Sequence, residues 1–209
     1  MSRFGLVSTT GVIDPYFAVG LRFMREAHRG QKRLSGEPFC VHPCAVASIL
    51  RGWGLCVTTQ IAGLAHDVLE DCTVSPENLT CELGRDVSKI VEAVTKFDLP
   101  SASRQESELV FHSRLLSSAL LDSRPLFVRL ADRLHNVQQI RYLKPERQKT
   151  FALETLTILL PEYFNLGFLR EANEVQARCL AVLPAETVEF FLAYKSDPAA
   201  LLDFYLSHP

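Results

Sequence analysis

Three short stretches carry side chains that can hold a cation and move protons. They are Phe39-Cys40-Val41-His42-Pro43, Ala65-His66-Asp67-Val68-Leu69-Glu70-Asp71, and Arg129-Leu130-Ala131-Asp132-Arg133-Leu134-His135-Asn136. In the second, His66 and Glu70 are four apart, as are Asp67 and Asp71. On a continuous helix such pairs share a face. Leu64, Ala65, Val68 and Leu69 surround them, so the groups are expected in apolar company. An unpaired carboxylate there costs several kcal/mol or more, and one divalent cation answers several such groups at once. Asp132 and Asn136 repeat the spacing in a segment that is apolar at Phe127, Val128, Leu130, Ala131, Leu134 and Val137. Imidazole and carboxylate donors without thiolate suit Mn, Fe, Zn or Mg-like ions. A site of this kind with open positions for water and substrate does hydrolysis. A single His on an apolar face is more often a packed residue, and a His-Asp pair arises by chance. The weight rests on the full set H…HD…D, all on expected helices.

The elements that must position these groups read as helix after helix. Asp14-Pro15 opens the first, about 15–29, with an N-cap and a Pro in the first turn. Gly30 to Phe39 is polar, with Gly30, Gly36 and Pro38, and reads as a loop. His42-Pro43 starts the second helix, which ends near Gly52-Trp53-Gly54. The third runs from about Thr58 to Asp71. Ser75-Pro76-Glu77 caps a fourth that Gly84 stops, and a fifth covers Arg85 to Lys96. After a break at Leu99 to Ser103, helices are expected at about 104–121, from Pro125 to about Tyr142, and from Lys144-Pro145 until Pro161 interrupts or ends the last. Two or three shorter ones fill 162–206. The expected fold class is all-α, about nine to eleven helices.

The hydrophobic fraction, 47%, is too high for a disordered chain and sufficient for a core. The formal net charge of −2 argues against a nucleic-acid polymer as partner, which calls for a basic face. A small anion needs only a local cluster, and Arg29, Lys32 and Arg33 supply one. A guanidinium such as Arg33 can pair with phosphate or stack on a base. The six cysteines form no CxxC pair, no apolar run reaches a membrane span, and residues 1–20 lack signal-peptide features. The expectation is a cytoplasmic protein with reduced thiols and no membrane contact. His28 and His135 stand near motif residues as candidate supporting partners, with plain packing as the alternative. His112 is expected at the surface.

At these residues the chain resembles the RelA/SpoT-type alarmone hydrolase domain. The run His28-Arg29-Gly30-Gln31-Lys32-Arg33-Leu34-Ser35-Gly36-Glu37-Pro38-Phe39, then His42-Pro43, is similar to the opening motif. Ala65-His66-Asp67-Val68-Leu69-Glu70-Asp71-Cys72 is similar to the HD and ED signatures. Val94-Thr95-Lys96, the Asp132 stretch, and Lys144-Pro145-Glu146 with Glu154-Thr155-Leu156 match further blocks, so the similarity runs from about 15 to 183. The resemblance implies one Mn²⁺ held by His42, His66, Asp67 and Asp132. It implies removal of the 3′-pyrophosphate from guanosine tetra- or pentaphosphate. Glu70 and Asp71 would orient the attacking water and handle protons. Arg33 and Ser35 would sit by the base, Asn136 at the sugar or phosphate, and Lys149 toward the phosphates. Leu34 departs from the family, which usually has Lys there, and brings the adenosine counterparts in as substrates. The segment Pro161 to Gly167 lacks the usual His-Arg pair before Leu-Gly. A different HD-type nucleotide phosphohydrolase, including an NADPH phosphatase, is the second reading. With the chain ending at Pro209, a stand-alone small hydrolase is expected. Residues 1–183 would form the domain and 184–209 a helical extension packing on it, a homodimer contact being the alternative for that tail.

Overall fold

The computed structural model describes residues 14–96 and 103–207. The expected break at Leu99 to Ser103 lies mostly outside them. The described residues are helical, and the single β pairing among them is an isolated bridge between Lys32 and Pro38. The helices are α1 (Pro15–Ala27), α2 (Val41–Gly52), α3 (Val57–Ala65), α4 (Val68–Asp71), α5 (Pro76–Val94), α6 (Arg104–Ala119) and α7 (Arg124–Gln138). After a 3₁₀ turn at Ile140–Tyr142 come α8 (Pro145–Glu154), α9 (Leu160–Asn165), α10 (Leu169–Leu180), α11 (Ala185–Tyr194) and α12 (Pro198–Ser207). The all-helical expectation holds. Two compact units divide these residues: 14–96 with 107–132, and 103–106 with 133–207.

In the first unit, α3 is the central element. Its residues Ile61, Ala62, Gly63, Leu64 and Ala65 are all buried, as expected of a helix that is apolar all round. It packs against α1, α2 and α5. Two glycines permit the close approach. A Cβ on Gly63 would meet Leu50 Cδ1 at 2.5 Å, and one on Gly20 would meet Ile61 Cγ2 at 2.7 Å. α1 begins as its sequence dictates: the Asp14 carboxylate accepts from the Tyr16 and Phe17 N–H groups, and Pro15 occupies the first turn. Ser75 and Asn78 form a reciprocal capping box at the start of α5. Gly84, at φ 78°, kinks α5 where a stop is expected, and the Tyr16 hydroxyl donates to the freed Leu83 carbonyl at 2.5 Å.

One expectation is corrected. The stretch 58–71 is not one helix: α3 ends at Ala65, and α4 is a single turn from Val68. His66 and Asp67 sit at the break, and the Asp67 carbonyl accepts from the Glu70 and Asp71 N–H groups as α4 begins.

In the second unit, Pro161 does not end its helix. A widened π turn, Thr155–Leu159, links α8 to α9, and Pro161 falls in the first turn beyond it. A proline ring clashes with the carbonyl four residues back, and widening the turn relieves that conflict. The buried guanidinium of Arg133 pairs with buried Glu154, donates to the Thr155 hydroxyl at 3.0 Å, and lies 4.3 Å from the Phe151 ring centre. At the chain's end, Phe190 of α11 stacks on Phe204 of α12 at 4.2 Å, and Gln105 donates to the Tyr205 carbonyl.

Candidate metal centre

Four side chains converge in the first unit. His42 comes from the first turn of α2, His66 and Asp67 from the break after α3, and Asp132 from α7. His42 Nε2 lies 3.2 Å from His66 Nε2, 3.2 Å from Asp132 Oδ1 and 3.5 Å from Asp67 Oδ2. His66 Nε2 lies 2.8 Å from Asp67 Oδ1 and 3.6 Å from Asp132 Oδ1. Donor atoms at about 2.0–2.2 Å from a common ion stand roughly 3 to 3.5 Å from one another. The donors of His42, His66 and Asp67 lie close enough to share one cation, and Asp132 Oδ1 stands beside both histidines.

The surroundings fix donor directions. His66 Nδ1 is 2.9 Å from the Gly63 carbonyl, so it carries the proton and leaves the Nε2 lone pair toward the cluster. Arg129 Nη1 donates to Asp132 Oδ2 at 3.0 Å, which turns Oδ1 to the histidines. His42 is only 2% exposed, whereas the Asp67 side chain keeps 20%. The cluster is closed on the α2 side and open at Asp67, as a hydrolytic site requires.

Electrostatics point the same way. Burial pulls His42 below its ordinary pKa. Burial also opposes charge on His66, but the Asp67 carboxylate, helped by Asp132, outweighs it and lifts His66 well above the imidazole range. Both carboxyls overcome the cost of burial through these histidines, and Asp132 falls well below its ordinary value. The field that holds a proton here favours any cation, and a bound ion displaces that proton.

Outside the four lie Glu70 and Asp71 on α4. Glu70 Oε1 accepts the Lys96 N–H at 2.8 Å. Burial, reinforced by the nearby Asp67 charge, raises both carboxyls above their ordinary values, toward the range useful for proton transfer. The 30–39 loop is closed by Arg33 N–H to the Glu37 carbonyl and Phe39 N–H to the Gln31 carbonyl. Arg33 is half-buried, 6.0 Å from the Phe39 ring centre. Burial lowers its pKa, while the Asp132, Asp67 and Glu37 charges oppose that. Ser35 donates to Glu37 Oε2 at 3.1 Å, and Leu34 stands 79% exposed beside it. Asn136 on α7 and Lys149 on α8 belong to the second unit, and both are half-buried.

His28 is a packed residue with a supporting role. It stacks on Phe39 at 4.3 Å, and its Nδ1 meets Gln31 Oε1 at 2.8 Å, while Gln31 donates to the Asp71 carbonyl. His112 is corrected: it is buried, 3.7 Å from Glu108 Oε2. Sequence reasoning passed over Arg129, Glu108 and Lys96 as parts of this region. A signal existed. Glu108, Phe111, His112 and Leu115 form an i, i+3, i+4, i+7 stripe, and all four are buried.

Among the described residues no helix is long and apolar enough to cross a membrane. Residues 20–161 match the HD domain family. The guanosine-3′,5′-bis(diphosphate) 3′-pyrophosphohydrolase of Haemophilus influenzae is 39% identical over 153 residues, 73% of this chain and 23% of that protein. The bifunctional (p)ppGpp synthase/hydrolase SpoT of Escherichia coli K12 is 35% identical over 73% of this chain and 22% of its own. The GTP pyrophosphokinase of Streptomyces coelicolor is 36% identical over 96% of this chain and 23% of its own. The chain therefore spans about a quarter or less of these curated relatives. A solved structure described as a metazoan ortholog of SpoT that hydrolyzes ppGpp aligns with a TM-score of 0.63 and 20% identity, over 85% of this chain and 98% of that one, which is a likeness of fold. With a His-Asp pair at the break between two helices, an all-helical architecture, and a family match across two thirds of its length, the chain belongs to the HD domain family.

Proposed function

We propose that the chain is a Mn²⁺-dependent hydrolase that removes the 3′-pyrophosphate from guanosine tetra- and pentaphosphate. The observation that carries this reading is the second carboxylate pair. Glu70 and Asp71 stand outside the four-donor cluster, with raised pKa values, so the site holds proton-handling groups beyond those a cation needs. The names of the bacterial relatives support the substrate class.

In this reading His42, His66, Asp67 and Asp132 are the metal ligands. The bound ion supplies Lewis acidity and lowers the pKa of a water molecule. Glu70, held by the Lys96 N–H, orients that water and takes its proton. The water oxygen bonds to phosphorus, the bond from phosphorus to the 3′ oxygen breaks, and that oxygen gains a proton from the pair Glu70 and Asp71. The products are GDP or GTP and pyrophosphate. Arg33 offsets phosphoryl charge or stacks on the base, and Ser35 lies beside it. Asn136 and Lys149 are assigned to the nucleotide on their motif positions. Residues 184–209 are proposed as an extension packing on the domain. The Gln105 bond to Tyr205 and the packing of α12 on the π turn support this.

The deciding experiment is chromatography of products after incubating the metal-loaded protein with guanosine and adenosine alarmones. Pyrophosphate and GDP are expected. An intact substrate overturns the reading. Leu34, exposed where a basic residue is usual, supports the adenosine counterparts as further substrates, and the second reading is release of orthophosphate from another nucleotide such as NADPH. Phosphate without pyrophosphate from a nucleotide panel would select it. Turnover and metal content after loading with Mn²⁺, Zn²⁺, Fe²⁺ or Mg²⁺ in turn test the choice of manganese.

A further inference from the structure

Glu108 sits on α6, 6% exposed, in the same unit as the cluster. Its two carboxylate oxygens are used separately. Oε1 accepts from Lys96 Nζ at 2.5 Å, and Oε2 lies 4.0 Å from Arg129 Nη2 and 3.7 Å from His112 Nε2. Each cation leads onward to the active region. The Arg129 fork places Nη1 on Asp132 Oδ2 at 3.0 Å, the oxygen that does not face the histidines. The Lys96 backbone N–H donates to Glu70.

The ring of Phe111 forms a shared floor for both arms. Arg129 lies 5.2 Å and Lys96 5.6 Å from its centre, and Arg114 lies 5.8 Å away while donating to the Thr95 carbonyl at 2.9 Å. The turn at 95–96 is therefore pinned at the Thr95 carbonyl and the Lys96 ammonium, which leaves its N–H aimed at Glu70. A core ion pair serving stability alone needs one partner. Here a single buried carboxylate accepts from the Lys96 ammonium at one oxygen and faces the Arg129 guanidinium across 4.0 Å at the other; Lys96 also gives its backbone N–H to Glu70, and Arg129 gives Nη1 to Asp132.

We propose that Glu108 is a positioning residue. Through Arg129 it sets the orientation of the ligand Asp132, and through Lys96 it sets that of Glu70. The inference rests on the metal-dependent hydrolase reading. Groups that orient a metal ligand in this way change metal affinity or activity by about 10- to 100-fold when removed.

The test uses the full chain and two variants. Glu108→Gln keeps the shape and removes the charge, and Lys96→Met keeps the backbone N–H and removes the ammonium. Calorimetric titration with Mn²⁺ should show binding weakened at least about tenfold in Glu108→Gln and changed less than about threefold in Lys96→Met. Hydrogen exchange of the Lys96 amide should quicken about tenfold in both variants. With the alarmone, kcat should fall about tenfold in both while KM holds within about twofold. A folded Glu108→Gln protein with wild-type Mn²⁺ affinity overturns the Asp132 arm. Unchanged Lys96 amide exchange overturns the Glu70 arm. If Glu108→Gln fails to fold, Arg129→Met replaces it in the titration, with the same outcomes. A wild type that binds Mn²⁺ yet leaves the alarmone intact sinks the hydrolase reading, and the titration and exchange results still decide the positioning role.

Discussion

Asp132 and Glu108 are buried to nearly the same degree in one unit, and each has a histidine nearby. Their company differs. Glu108 accepts from the Lys96 ammonium at one oxygen, and the Arg129 guanidinium stands 4.0 Å from the other. Asp132 Oδ1 stands beside the Nε2 atoms of two histidines, and the Arg129 guanidinium donates to its outer oxygen. His42, His66 and Asp67 gather donors that can take up a cation next to it. Equal burial thus accompanies two arrangements: a strut, where cationic side chains stand against the carboxylate, and a receptor, where neighbouring donors can take up a cation.

The sharpest way to break this contrast is Asp67→Ala. On the proposed function, removing Asp67 should abolish Mn²⁺ binding in a titration and lower turnover at least about a thousandfold, since that mechanism depends on the ion. Retained turnover would remove the receptor half of the comparison. Glu70→Gln comes next. It should lower kcat by about 10²- to 10⁴-fold with Mn²⁺ still bound, because the proposed function gives Glu70 the proton and not the ion. Loss of metal in that variant would move Glu70 into the cluster. A smaller effect is expected from the ion alone. Mn²⁺ at about a hundred times its Kd should stabilise the folded chain by about 2.7 kcal/mol, read as a rise in Tm that a chelator reverses. In Asp67→Ala that rise should vanish, while Glu70→Gln keeps it. Leu34→Lys should have the smallest effect. Its exposure predicts a stability change within about 0.5 kcal/mol, with KM for the alarmone lowered about threefold and kcat unchanged. An unchanged KM would remove Leu34 from the nucleotide site.

The receptor was more legible in the sequence than the strut. His42, His66, Asp67 and Asp132 are polar residues of ligand type embedded in apolar periodicity, and such residues announce themselves. Helix starts followed from Asp14-Pro15 and Ser75-Pro76, where capping is local, and from Lys144-Pro145, where a proline opens the first turn without a side-chain cap. The break at His66-Asp67 was not readable, because Ala65 to Asp71 holds neither Gly nor Pro and its pattern suits an unbroken helix. What imposes it is tertiary: the histidine and aspartate gain partners on α2 and α7 that no helix surface offers. The widened turn before Pro161 is a similar case, where the chain keeps its direction by changing its pitch. His112 was misread because two of the four residues in its stripe, Glu108 and His112 itself, are polar, which hides the helical periodicity that Phe111 and Leu115 carry.

Gly63 joins two of these threads. It has no side chain where Leu50 of α2 presses in, and its carbonyl receives the His66 ring. One residue therefore sets both how near α2, with His42, can come and which way His66 turns. A methyl group added there would act as a wedge a full turn away from any ligand. The reach of the site along the chain is thus wider than its four donors: heritable damage to it can arise from a change that leaves every reactive atom in place, and a survey of variants that inspected only those donors would overlook it.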